Sequence, residues 1–81
     1  METGYVFLNL MPGTKKGVIT KIKAIKAVKD ARLVIGIFDA VAKIQAENME
    51  ELEKIYLNQI DSIPGIMDSR LHIVACPRTR K

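Results

Sequence analysis

The feature that most constrains this chain is a repeat of itself. Ile22, Ile25, Val28, Arg32, Leu33 and Ile35 recur as Ile60, Ile63, Ile66, Arg70, Leu71 and Ile73, each pair 38 positions apart. A fixed period of this length reports one supersecondary unit used twice. The unit reads as helix, short turn and strand, with a further strand ahead of each copy. Val18, Ile19, Ile22 and Ile25 fall at helical spacing between Thr14 and about Ile25, and Leu52, Ile55, Tyr56, Ile60 and Ile63 do so after Asn48. Runs of β-formers occupy Gly4–Leu10, roughly Ala31–Ile35, Ala40–Ala46 and Leu71–Cys76. The order is β-α-β-β-α-β, and two split βαβ units joined this way form an α+β, ferredoxin-like sandwich. Right-handed crossovers then fix a single antiparallel sheet of strand order 4-1-3-2, with both helices on one face.

The punctuation agrees with that order. Pro12-Gly13 ends the first strand, and Thr14 is expected to cap the first helix, which tolerates Gly17 at a cost of about 1 kcal/mol. Gly36-Ile37-Phe38-Asp39 reads as a hairpin connection in which glycine supplies a positive φ. Asn48 followed by Glu51 is a capping box, and the acidic first turn suits the helix dipole. Pro64-Gly65 closes the second helix, and Pro77 stops the last strand. Residues 1–77 therefore make a single domain, and Arg78-Thr79-Arg80-Lys81 a short basic tail.

At 81 residues the chain lies near the size at which domains need help to stay folded. Cys76 is the only cysteine and His72 the only histidine, so neither an internal disulfide nor a structural metal supplies that help. Self-association remains. The sheet gives it a place, because two helices cover one face only, while the first and last strands carry apolar side chains on both. Tyr5 and Phe7 oppose Val6, Leu8 and Leu10, and Val74 and Cys76 oppose Leu71, Ile73 and Ala75. A bare apolar face of that kind exceeds what monomers normally expose, and the simplest cover is the same face of a second copy.

No segment is long and apolar enough to span a membrane, the opening Met1-Glu2-Thr3 lacks the basic start of a secretory signal, and the lone thiol suits a reducing compartment. The expected location is cytoplasmic. Basic residues outnumber acidic ones 13 to 9, for a net charge of +4. The lysines at 15, 16, 21, 23, 26 and 29 crowd the first helix and the turn after it, while Glu47, Glu50, Glu51 and Glu53 crowd the second helix.

Four pieces of the sequence, in order, resemble the effector-binding half of the Lrp/AsnC family of transcription regulators, the RAM domain. They are Pro12-Gly13 with Val18, Ile22, Ile25 and Val28; Gly36-Ile37-Phe38-Asp39 leading into Ala40-Val41-Ala42-Lys43-Ile44; Met49-Glu50-Glu51-Leu52; and Ile63-Pro64-Gly65-Ile66. The resemblance runs without a gap from Tyr5 to about Ala75. It is closest to the stand-alone members, archaeal and some bacterial, that lack the helix-turn-helix domain, so no direct DNA binding is expected by that route. It implies dimers packed through the sheet face as a dimeric α+β barrel, rings of such dimers, a free amino-acid effector held between subunits, and association with full-length regulators. It implies neither an enzyme nor a cofactor. Two departures stand out: Lys26-Ala27 replaces a frequent Pro-Gly, and Leu71 stands where many relatives have a threonine near the ligand, so effector identity is left open.

The candidate ligand-binding residues are Gly36, Ile37, Phe38, Asp39, Met67 and Ser69. The Asp39 carboxylate suits a ligand ammonium, and the backbone amides around Gly36, Ile37 and Phe38 suit its carboxylate, with Gly36 allowing close approach. The plainer role for Asp39 is to bond within its own turn. By resemblance Ser69 marks a hydroxyl position near the effector; its plainer role is a strand-edge serine facing water. Met67 either lines the pocket or fills core. His72 and Cys76 lack the partners that catalysis needs and are expected to be structural or exposed. Two other functions stay open: a nucleic-acid-binding accessory protein using the lysine-rich first helix, and a purely architectural oligomerisation partner.

Overall fold

A computed structural model describes residues 1–74. Its elements are β1 (Glu2–Leu10), α1 (Lys15–Lys23), β2 (Val28–Leu33), β3 (Ala40–Ala46), α2 (Met49–Ile55), a π-helical turn that continues it (Tyr56–Ile60), and β4 (Ile66–Ile73). The four strands form one antiparallel sheet of order β2-β3-β1-β4, the order that the repeat and the crossover rule require. The expected places of Ala75, Cys76, Pro77 and the 78–81 tail lie outside the described residues.

Alternation along β1 and β3 decides what the sheet buries. Val6, Leu8 and Leu10 on β1 and Ala40, Ala42 and Ile44 on β3 all point to the helices and are 3% exposed or less. Val18 and Ile22 of α1, Leu52 and Ile55 of α2, and Ile60 of the π turn close this layer from above. Among the described residues no helix is long and apolar enough to cross a membrane.

Several boundaries differ from the sequence reading, for physical reasons. β2 begins at Val28 rather than Ala31, and β4 at Ile66 rather than Leu71. Each of these strands opens with a register shift: Val28 pairs with Ile44 but Asp30 with Lys43, and Ile66 pairs with Leu10 but Asp68 with Asn9. Lys29 and Met67 are thus the extra residues of two bulges, and they stand 38 positions apart, so the repeat extends to its irregularities. Val34 and Ile35 leave β2 for the connection to β3. Thr14 makes no side-chain cap; its hydroxyl turns back to donate to the Met11 carbonyl at 2.6 Å. Asn48 does cap α2, its Oδ1 accepting from the Glu51 amide at 2.8 Å. The buried residues step five positions from Ile55 to Ile60, and the π turn makes that step, with the Asp61 amide bonding the Tyr56 carbonyl at 2.8 Å.

Gly65 is required where it stands. Its φ is 101°, and a Cβ there would lie 2.9 Å from Val18 Cγ2 and 3.1 Å from Thr14 Oγ1. Its carbonyl accepts from the Met11 amide at 2.8 Å, tying the two turns at that end of the sheet together.

The face away from the helices is more polar than expected. From β4 it receives Asp68, Arg70 and His72, which pair across β1 with Asn9, Phe7 and Tyr5. Its apolar part is an aromatic patch around Phe7 rather than the whole of strands one and four. Phe38 lies 5.2 Å from Phe7 between ring centroids, and His72 meets Phe7 edge-on at 5.1 Å.

Candidate functional site

The β2–β3 hairpin projects from one end of the sheet. Gly36 has φ 149° with open space where a Cβ would be, and Ile35 and Ile37 at the tip are almost fully exposed. Behind the tip the chain is pinned. The Asp39 amide donates to the Leu8 carbonyl at 2.8 Å, and the Asp39 carbonyl accepts from the Val34 amide at 2.9 Å. The Asp39 carboxylate spans two duties: Oδ2 accepts from the Leu10 amide at 2.8 Å, and Oδ1 lies 3.7 Å from Lys15 Nζ. The first duty satisfies a backbone donor where β1 outruns β3, a longer-range version of the local bonding weighed for this residue. The second pairs the other oxygen with a lysine that is itself half exposed.

Ser69 lies in β4 on the helix side, opposite Leu8, and is half-buried rather than facing water. Its Oγ donates to Asp61 Oδ1 at 2.6 Å and lies 2.7 Å from the Tyr56 hydroxyl. Ser69 has one proton to give, so with Asp61 as acceptor Tyr56 is the donor to Ser69. The π turn makes this chain possible by carrying Tyr56 and Asp61 to β4 together. Sequence reasoning does not single out Tyr56 or Asp61 as site residues: Tyr56 keeps the apolar stripe at ordinary helical spacing to Ile60, so the π turn leaves no signal there. Met67, at the β4 bulge, is exposed rather than core-filling.

Asp39, Met67 and Ser69 flank the same end of β1, but the candidates fall on both faces of the sheet. Phe38 joins the open sheet face, where a hollow of about 320 Å³ is lined by Tyr5, Phe7, Phe38, His72, Ile73 and Val74. Ser69 is on the opposite face, across β1 from the hairpin. No cluster of three or more His, Cys, Asp or Glu side chains able to hold a metal occurs among the described residues. Lys16, Lys21, Lys23, Lys26 and Lys29 are all exposed and make no ion pair among the described residues.

Comparison with known proteins places this geometry. Solved structures share the fold over nearly the whole chain. A hypothetical protein of Pyrococcus horikoshii is 24% identical with a TM-score of 0.87, and the match covers 94% of this chain and 92% of that one. Escherichia coli AsnC is 17% identical with a TM-score of 0.86, the match covering 93% of this chain and 51% of that one. A Neisseria meningitidis transcriptional regulator solved with L-methionine is 12% identical with a TM-score of 0.83, covering 93% of this chain and 50% of that one. No curated protein sequence matches. The family model of the Lrp/AsnC ligand binding domain matches residues 3–77, and the chain belongs to that family.

Proposed function

We propose that the protein is an amino-acid-binding regulatory module whose effector pocket is completed where copies meet. The observation that carries this reading is the separation of the candidate residues. Asp39, Met67 and Ser69 all flank the end of β1, but Phe38 lies on the open face and Ser69 on the helix face, with Ile37 and Met67 exposed, so the described residues of one chain do not enclose a ligand with all of them. A second copy brings its own hairpin to the first copy's exposed groups. In that pocket the ligand ammonium takes the place of Lys15 beside Asp39 Oδ1, while Oδ2 stays on the Leu10 amide. The amides around Gly36 take the ligand carboxylate. The Neisseria regulator, crystallised with L-methionine, supports a free amino acid as the class of effector. Copies pair through the aromatic patch on the open sheet face and associate further into rings or with full-length regulators in the cytoplasm.

The test is thermal unfolding against each of the twenty amino acids. A true effector raises stability as RT ln(1 + [L]/Kd), about 2.7 kcal/mol at a hundredfold excess over Kd. An intact oligomer that none of the twenty stabilises rules the reading out. A second reading, binding of nucleic acid by α1 and the turn into β2, draws on the five exposed lysines there that lack ion pairs among the described residues. Its mark is mobility shift that weakens steeply with salt, and no shift at low salt removes it.

A further inference from the structure

The sheet has two outer edges, and they are not alike. Among the described residues β4 pairs with β1 alone, so the backbone groups on its other side have no partner there within the sheet. Along that side runs a groove of about 490 Å³. One wall is the unbroken run Ser69–Ile73; the other is Glu53, Tyr56 and Leu57 on α2 and the π turn. Successive strand residues point to opposite faces, so five in a row line one groove only where it follows the rim of the strand. The register over this run is regular, from Ser69 opposite Leu8 to Ile73 opposite Gly4. At the β2 edge a smaller hollow of about 170 Å³ lies at the bulge, rimmed by Lys23 and Lys29, whose charges discourage strand addition there.

We infer that the β4 edge is a docking groove for an extended peptide, which adds to the sheet as a fifth strand beside α2. Free strand backbone supplies affinity in such additions, and side-chain pockets on alternate positions supply selectivity. Both are present. On the helix side an incoming side chain meets Leu57, Leu71 and Ile73, and Leu57 is 57% exposed, uncovered by its own chain. On the other side it meets Arg70 and His72, and the only acid paired with Arg70 among the described residues is Asp68 at 3.7 Å. Glu53 at the α2 rim rejects an acidic residue on the helix side. The groove therefore selects a segment alternating apolar and acidic residues in one register. Five residues of strand span about 17 Å at roughly 3.4 Å each, so a hexapeptide fills it.

The experiment uses the full chain and a fluorescent hexapeptide alternating valine and glutamate. A control of the same composition has its three valines and three glutamates in blocks, and a second control is the alternating peptide N-methylated on its backbone. The alternating peptide is expected to bind at least tenfold more tightly than either control and to slow amide exchange at Arg70–His72. Leu57→Asp, a change at an exposed position, is expected to weaken binding at least tenfold with the melting temperature held. Equal binding of all three peptides, or binding without protection of the β4 amides, overturns the inference. So does protection of those amides in the peptide-free protein that grows with concentration, which assigns the edge to a second copy.

Discussion

Asp39 serves the backbone with one oxygen and an exposed lysine with the other, and that division allows its two roles to be separated by mutation. Asparagine keeps an acceptor for the Leu10 amide but removes the charge; alanine removes both. Asp39→Asn is expected to unfold within about 0.5 kcal/mol of the parent and to lose the stabilisation that an effector confers, whereas Asp39→Ala, leaving a part-buried donor unpaired, costs about 1–2 kcal/mol with no ligand present. Parallel denaturant titrations with and without amino acid read both effects, and retained effector stabilisation in Asp39→Asn removes the carboxylate from the ligand site. The Asp61–Ser69–Tyr56 chain gives a second test at this scale. Ser69 is its central member, so Ser69→Ala and Tyr56→Phe break the same network and their costs should not add. A double-mutant cycle is expected to show coupling of about 0.5–1.5 kcal/mol; strict additivity would mean that the 2.7 Å contact contributes nothing to stability.

At the level of elements, the turn after the π segment is the most tightly specified connection. Gly65 combines a left-handed backbone with a site where an added methyl meets Val18 and Thr14. Gly65→Ala is therefore expected to cost about 2–4 kcal/mol, backbone strain and overpacking together, measured by urea unfolding. Gly17, exposed in the first turn of α1 with open space where a Cβ would be, is the contrasting case. There alanine is expected to stabilise by about 0.5–1 kcal/mol. The same distinction explains what the sequence disclosed. The periodic elements were legible, because Ile22, Leu52 and Ile60 are apolar for the one reason that they face the sheet. The strand starts at Val28 and Ile66 were not, because a bulge at Lys29 and at Met67 breaks the two-residue alternation that identifies a strand. The hairpin was legible as a motif, and its Asp39 as a polar anchor. The partners of Ser69 were hidden, since they reach it through a π turn that leaves no trace in the stripe, where Tyr56 keeps a four-residue step to Ile60. Asn48 announced its cap, whereas Thr14 had the right residue type but spends its hydroxyl on Met11.

For the molecule as a whole, both helices lie on one side of the sheet and leave Phe7 at the centre of the other. A chain of this length gains stability by covering that patch, and the charged groups around it, Asp30 and Arg32 on β2 and Asp68 and Arg70 on β4, limit how a cover can sit. Each of these acids already has a base beside it, at 3.1 Å and 3.7 Å, which leaves Lys43, opposite Tyr5 and Asp30, as a charge on that face with no ion pair among the described residues. The aromatic centre then supplies the attraction, since large rings carry most of the apolar area in such contacts. Phe7→Glu places like charges face to face at the middle of a twofold contact while leaving the helix-side core untouched. It is expected to convert a dimer into single chains in light scattering at micromolar concentration. Its melting temperature should fall and become independent of protein concentration, where the parent's rises with concentration. A parent protein that is already a single chain at that concentration, with the same melting temperature at every dilution, would mean that this face needs no cover, and an effector pocket shared between copies would lose its basis.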